Sequence, residues 1–369
     1  MALSKVGVVA TAQTSLRKAW SDAQHIDLIS SVVGSVFKGT GLTLDDVDFV
    51  IDSGSDVLDG RSISNCGFLG ALGAHHKEEA RVEEDGLWAA LYGVNKIRSG
   101  ASRVGLIVAY SKPSESNVDL YWSSQVEPFY QRPVGFGQKA ANGLMAQRYL
   151  AQTGLTQRDL AELVARRWAA AAQGGRVDIA QVPDAAAVLA AAEAASPLTE
   201  LMLARPVDGA VAVLIAEESI AKRATRCPVY IAGMGTSMDG HAFAERGEEG
   251  IASVAAAAAM AYRAAGWGAD QADLAEVSAC SVVGELLAIE GLGLAEAGKG
   301  LAAATSGKVS INASGGALPA DPIMATGLVR LAEAVRQLAE PGDGSPRRAI
   351  VHGAGGIAMQ NNCVFALEI

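Results

Sequence analysis

The chain has 369 residues, half of them hydrophobic and only 5% aromatic, with a mean hydropathy of +0.22. That length exceeds one average domain, and a core so poor in aromatics has to be filled by Ala, Val, Leu, Ile and Gly, which suits the close layers of a buried α/β protein. The net charge of −10 and a pI near 5.1 exclude nonspecific nucleic-acid binding, which needs a basic surface to displace phosphate counterions.

In chain order, residues 6–10 form a short apolar run that reads as a buried strand, and residues 26–38 as a helix stopped near Gly39 and Gly41. Residues 44–50 lead to a glycine-bearing turn, a helix over 86–98 and a strand over 104–109. Residues 111–205 differ in character. Tyr110, Tyr121, Trp122, Phe129, Tyr130 and Phe136 cluster at its start, and Pro113, Pro128 and Pro133 exclude a long helix there. Two readings of this aromatic stretch stand: a hydrophobic loop packed on the body, or a lid lining a substrate pocket. Helical periodicity returns over 137–150, 156–172 and 185–195. A strand at 229–234, a helix at 251–265 ending on Gly266, a segment at 271–277, a helix at 325–338 and a strand at 349–352 then repeat the order of the first half. Two α/β units with parallel-rich sheets follow, with the halves spanning residues 1–222, including a loop domain at about 111–205, and 223–369.

Cys66, Cys227, Cys280 and Cys363 show no CxxC spacing, which argues against a zinc site or a disulfide framework. His75 and His76 have no further ligand at metal-site spacing, so no metal is expected. Gly353-Ala354-Gly355-Gly356-Ile357-Ala358 fits GxGxxA, but Ile369 follows too soon for the remainder of a dinucleotide site. The opening MALSKVGVVATAQ lacks a signal-peptide pattern, and the apolar run at 251–262 is too short to cross a bilayer, so a cytoplasmic protein without membrane contact is expected.

Asn312-Ala313-Ser314-Gly315-Gly316 followed by Pro322-Ile323-Met324-Ala325-Thr326-Gly327 resembles the NxSGG…GHPxGATG signature of the thiolase superfamily. Glu285-Leu286-Leu287 with Glu290-Gly291-Leu292-Gly293-Leu294 resembles the stretch after the HDCF motif of its sterol-carrier-protein-type branch. Pro206-Val207-Asp208-Gly209-Ala210 and Gly353-Ala354-Gly355-Gly356 resemble two further family segments. The resemblance implies a five-layer αβαβα fold of two similar halves plus a loop domain. It also implies coenzyme A thioester substrates with no other cofactor, and usually a homodimer. In this branch it implies complexes with a small OB-fold, zinc-ribbon acyl-CoA-binding subunit or a second thiolase-like chain.

Carried over residue by residue, the resemblance places Glu83 of Val82-Glu83-Glu84-Asp85-Gly86 in the slot of the nucleophilic cysteine. Glu83 reads either as a general base or as an acid capping the helix that follows. Ser278-Ala279-Cys280-Ser281 stands where HDCF would stand, so Ser278 replaces an oxyanion-binding histidine and Cys280 keeps the acid/base thiol position. Cys280 also reads as a small buried apolar residue. Asp321 replaces the histidine of GHP, and His352 occupies a position held by cysteine in biosynthetic members. His352 reads as a proton carrier aimed at the same site or as a structural histidine. Tyr121, Trp122, Phe129, Tyr130, Ser314, Gly315, Gly355 and Gly356 are the expected pocket residues.

Three functions are compatible with this pattern. One is an acyl-CoA-processing enzyme that forms or cleaves a carbon–carbon bond without a cysteine acyl-enzyme, as in retro-aldol cleavage of a 3-hydroxyacyl-CoA. Another is a non-catalytic subunit of a heteromeric acyl-CoA complex. The third is a conventional acyltransferase with Cys66 or Cys280 as nucleophile.

Overall fold

The computed structural model describes residues 4–60, 62–247, 250–340 and 345–369. The strands are β1 (Val6–Gln13), β2 (Phe49–Ser53), β3 (Glu78–Val82), β4 (Val104–Ser111), β5 (Glu193–Ala195), β6 (Leu198–Thr199), β7 (Gly209–Glu217), β8 (Val229–Met238), β9 (Leu274–Val277), β10 (Ser310–Ile311), β11 (Arg348–Gly355) and β12 (Asn361–Glu368). Ten of them hydrogen-bond in the order β10-β9-β11-β12-β8-β1-β7-β4-β2-β3. Read outward from the β1–β8 join, the two sides have the same order of equivalent strands, so the repeat in the sequence is a repeat in space. The join itself is narrow: Gly7 pairs with Tyr230 and Val8 with Val229.

The parallel pairs lie at the two ends of the sheet, with β2 between β3 and β4 and β9 between β10 and β11. The pairings nearer the β1–β8 join are antiparallel, so the sheet is mixed where a parallel-rich one was expected. The reason is visible at β11 and β12: residues 356–360 are too few for a crossover, so β12 returns beside β11 as a hairpin.

Side-chain alternation distributes each strand between two cores. On β4, Leu106 and Val108 face an outer core with Ile29 and Val32 of helix His25–Val36, whereas Ile107 and Ala109 face inward. The inner core holds Leu87 and Val94 of helix Gly86–Arg98 and Leu328, Leu331 and Val335 of helix Thr326–Ala339. Strands of both halves close on it, through Ile51 and Val213 on one side and Val351 and Phe365 on the other. The third core places Val254 and Ala257 of helix Ala252–Ala265 and Leu286 of helix Val282–Gly291 against Ile350 and Val364. The layers therefore run helix, sheet, helix, sheet, helix.

The inserted region contributes helices Gln138–Thr153 and Gln157–Gly174, which pack on the third core. The alanine-rich stretch expected as one helix over 185–195 is helical only at Ala185–Ala190. Beyond it, Glu193 and Ala195 pair with Thr199 and Leu198, so strand pairing overrides alanine's helix preference. Among the described residues no helix is long and apolar enough to cross a membrane.

Candidate functional site

The two central helices begin at the same point. Asp85 has extended backbone angles and caps helix Gly86–Arg98, accepting a hydrogen bond from Leu87 N at 2.9 Å. Its other oxygen accepts from Gly327 N at 2.8 Å, in the first turn of helix Thr326–Ala339. One carboxylate thus serves the unpaired amides of two helix N-termini, where partial positive charge favours an anion. The Gly86 amide in turn donates to Met324 O at 2.7 Å. Two glycines permit this approach. A Cβ on Gly86 would meet Leu328 Cβ at 2.7 Å and Ala109 Cβ at 2.8 Å, and a Cβ on Gly327 would lie 2.1 Å from Asp85 Oδ1.

Asp85 faces a small recess together with Ser278, Cys280, Asp321, Gly355 and Gly356. Burial pushes the Asp85 carboxyl up to about 7, against the pull of its two amide donors, with the charges of Glu84 and Asp321 adding to the rise. Asp321 is raised to about 6 by burial, opposed by the Thr326 hydroxyl that donates to it and by the charge of Arg330. The Cys280 thiol opens partly toward the cleft but is otherwise enclosed, and it donates to Asn142 Oδ1 at 3.1 Å. Burial pushes it up to about 12, and the Asp321 charge acts in the same direction. At neutral pH the recess therefore holds a protonated thiol and two carboxyl groups titrating close to neutrality. Ser278 Oγ is buried there with no hydrogen-bond partner among the described residues.

The recess continues into a cleft of about 1090 Å³ that shares Trp122, Gln138, Cys280, Asp321 and Ile323 with it. Backbone strain gathers in the segments around the recess. Met324, Ala358 and Met359 all have positive φ, at 73°, 51° and 58°, and such outliers concentrate at functional sites. Gln138 Oε1 accepts from Ala358 N at 2.7 Å and ties the inserted region to this strained turn.

The sequence-derived site residues divide into two groups. Ser278, Cys280, Asp321, Gly355, Gly356 and Trp122 line the recess, and Tyr121 lies behind it, edge-on to Trp122 with its hydroxyl 3.8 Å from Met324 Sδ. Glu83 lies outside. Its side chain is 50% exposed and turns to the opposite side, accepting from Asp56 N at 2.7 Å and pairing with Arg81 at 3.5 Å. The helix cap is Asp85, and Glu84 is the acid beneath Gly355, bonded to Asn361 Nδ2 at 2.8 Å. Burial raises Glu84 as well, opposed by the Asn361 bond.

His352 does not reach the recess. On β11 it shares a face with Ile350, toward the outer helices, while Val351 faces the central ones. Its ring is fully buried between Ser278 O at 3.1 Å and Asn362 Oδ1 at 2.9 Å, and burial lowers it to about 4. Phe129 and Tyr130 are 79% and 84% exposed and stand away from the cleft. Ser314 is held by Glu276 at 2.6 Å and Arg330 at 2.5 Å in a buried ionic network, and Gly315 packs against Ala171, so both support the site from outside. Cys66 is exposed in a short 3-10 turn, outside the recess and the cleft. Asp85, Glu84, Gln138 and Asn142 were not singled out from the sequence. For Asp85 a signal existed: it directly precedes the helix, where an N-cap aspartate is preferred.

Residues 235–367 match the family model described as thiolase C-terminal domain-like. The benzoylsuccinyl-CoA thiolase subunit BbsB of Thauera aromatica is 30% identical over 238 residues, which cover 59% of this chain and 60% of that protein. The match thus spans about three fifths of the relative's length. Among solved structures, the Ltp2-ChsH2(DUF35) aldolase superposes with a TM-score of 0.83 at 18% identity, covering 99% of this chain and 98% of that one. A monomeric SCP2-thiolase-like protein type 1 from Mycobacterium smegmatis gives 0.75 at 19% identity, covering 98% and 76%. At these identities the likeness to solved structures is one of fold. The chain thus has the fold of these thiolase-like structures, and its residues 235–367 match the thiolase C-terminal domain-like model.

Proposed function

We propose that this chain is an acyl-CoA-processing carbon–carbon lyase that works without a cysteine acyl-enzyme, by retro-aldol cleavage of a 3-hydroxyacyl-CoA. The observation that carries this reading is Asp85: a carboxylate, and no thiol, stands where the two central helix N-termini meet. An acylated carboxylate would be a reactive anhydride, so the group serves better in proton transfer than as an acyl carrier. Cys280 stays a thiol at neutral pH and makes a poor nucleophile.

In this mechanism ionised Asp321 takes the proton of the substrate's 3-hydroxyl. The C2–C3 bond breaks, a carbonyl forms at C3, and the bonding pair passes into a thioester enolate. Asp85, protonated in part near neutral pH, returns a proton to C2. Over one turnover Asp321 gains a proton and Asp85 loses one, so net return of one proton from Asp321 to Asp85 resets the pair. The fold-level likeness to a protein titled an aldolase supports the reaction class.

A second reading is that the chain is a non-catalytic subunit of a heteromeric acyl-CoA complex. BbsB is named a subunit, and the Ltp2 structure carries ChsH2(DUF35) in its title. The partner would be an OB-fold, zinc-ribbon acyl-CoA-binding protein or a second thiolase-like chain, and a homodimer is proposed in either case. Exposed Phe129, Tyr130 and Val134 give such a partner an apolar surface. Assay of the purified chain against 3-hydroxyacyl-CoA and 3-ketoacyl-CoA, alone and with the product of a neighbouring gene, separates the two. Cleavage of the hydroxy substrate lost in Asp321→Asn supports the lyase. Complex activity unchanged by that substitution supports the subunit reading and contradicts the lyase.

A further inference from the structure

Gln138 joins the recess to the cleft. It is half-buried and lines both, together with Trp122, Cys280, Asp321 and Ile323. Its side-chain amide is held in one orientation. Only the oxygen of an amide accepts an N–H, so the bond from Ala358 N at 2.7 Å identifies Oε1 and turns Nε2 the other way. Ala358 is itself buried, and Arg246 holds the residue before it by donating to Ile357 O at 2.6 Å. The backbone of Gln138 is fixed as well, since its carbonyl accepts from Asn142 Nδ2 at 2.8 Å. Asn142 stands one helical turn on, on the same face, and its Oδ1 accepts from the Cys280 thiol at 3.1 Å. That face of the helix is therefore the one turned to the recess.

Gln138 Nε2 is left with its N–H donors uncommitted among the described residues, and unlike Ser278 Oγ it is not closed off from solvent. The first turn of the helix adds to the same field. Gly137 has no side chain to accept the free amides there, and residues 137–140 line the cleft. The neighbouring polar groups have other partners or other work. The Cys280 thiol donates to Asn142, and in the lyase reaction Asp321 and Asp85 move protons. An ionised carboxylate repels developing negative charge. A neutral amide receives it, and a donor fixed in advance needs no reorganisation as the charge forms.

Building on the lyase reading, we propose that Gln138 is a further catalytic residue, whose Nε2–H donates to the thioester oxygen of the substrate. As the C2–C3 bond breaks, its electron pair passes into the enolate and negative charge settles on that oxygen. Gln138 stabilises the charge by a hydrogen bond and keeps its own protons throughout. Protonation of C2 by Asp85 then restores the neutral thioester.

The test uses two substitutions in the full chain. Gln138→Glu keeps an acceptor for Ala358 N but puts a carboxylate oxygen where the donor was. Gln138→Met keeps the length, carries no charge and lacks both functions. Each should lower kcat for a 3-hydroxyacyl-CoA about 10²-fold with KM little changed, as expected of a contact that strengthens in the transition state. A residue that only ties down Ala358 would leave Gln138→Glu active, and that result overturns the proposal. Isotope-edited infrared spectroscopy reads the same contact without turnover. The probe is hexanoyl-CoA labelled with ¹³C at its carbonyl, which has no 3-hydroxyl and cannot be cleaved. Bound to the unmodified chain, its carbonyl band should lie below that of the free thioester and return toward the free position in both variants. A band at the free position in the unmodified chain, or one that neither substitution moves, overturns the proposal. A lowered band that depends on Gln138, in a chain that cleaves no 3-hydroxyacyl-CoA, contradicts the lyase reading and leaves the contact in place.

Discussion

The carboxylate of Asp85 accepts a hydrogen bond at 2.8 Å from the amide of Gly327, 242 residues away in the chain. This bond ties the first turns of the two central helices together and fixes the inner wall of the recess. Asp85→Asn keeps the shape but retains only one acceptor oxygen, so one of the two amides meets an N–H₂ group instead. Denaturant unfolding should show a loss of about 1–2 kcal/mol, the size of a lost cap with one buried donor unpaired. Unchanged stability would mean that the bond does not hold the helices together.

The two recess carboxyls also set a direction for stability against pH. Asp85 and Asp321 have folded-state values of about 7 and about 6, both above the ordinary 3.8. The folded state therefore holds protons that the unfolded state has released, and stability falls as pH rises from about 4 to about 7. Asp321→Asn should flatten this fall relative to the unsubstituted chain, measured as thermal midpoints across that window.

His352 acts with the opposite sign. Its folded value of about 4 lies below the ordinary 6.5, so the stability it contributes is complete above about 6.5 and is lost as pH falls toward 4. Its ring bonds recess-lining Ser278 only through that residue's backbone carbonyl, so His352→Gln should lower stability while leaving the pH profile of the reaction in place. A displaced kinetic profile in that variant would put His352 back among the proton carriers.

Thiol chemistry distinguishes two cysteines directly. Cys66 is exposed, whereas Cys280 is enclosed and raised to about 12. Iodoacetamide at neutral pH, followed by peptide mass spectrometry, should label Cys66 much faster than Cys280. Rapid labelling or acylation of Cys280 would restore the conventional acyltransferase reading.

Much of the fold was readable because it is written twice. The apolar runs at β1 and β8, and the glycine-led helices Gly86–Arg98 and Thr326–Ala339, carry their periodicity in the sequence. Strands β3 and β12 were harder to read: β3 is polar and partly exposed, and β12 is a hairpin return with no helix before it. Within the site, Ser278, Cys280 and Asp321 were found by motif, and the glycine turn at Gly355 followed. The acid beside Gly86 was misplaced because three acids stand in a row, and only backbone direction decides that Asp85 turns inward and Glu83 outward. His352 was placed correctly along β11 but on the wrong face, a matter of alternation that a single strand residue does not reveal. Exposed Phe129 and Tyr130 show the same limit, since an aromatic cluster in sequence does not say which members turn inward.

The central claim is that the recess cleaves a carbon–carbon bond by carboxylate proton transfer. Its most direct measurement is single-turnover cleavage of a 3-hydroxyacyl-CoA by the purified chain and by Asp321→Asn, with the released carbonyl product quantified. The unsubstituted chain should cleave the substrate, and the variant should be about 10²–10⁴-fold slower, the usual contribution of a general base. Equal cleavage by both proteins, or an acyl group found covalently on a cysteine during turnover, would contradict it.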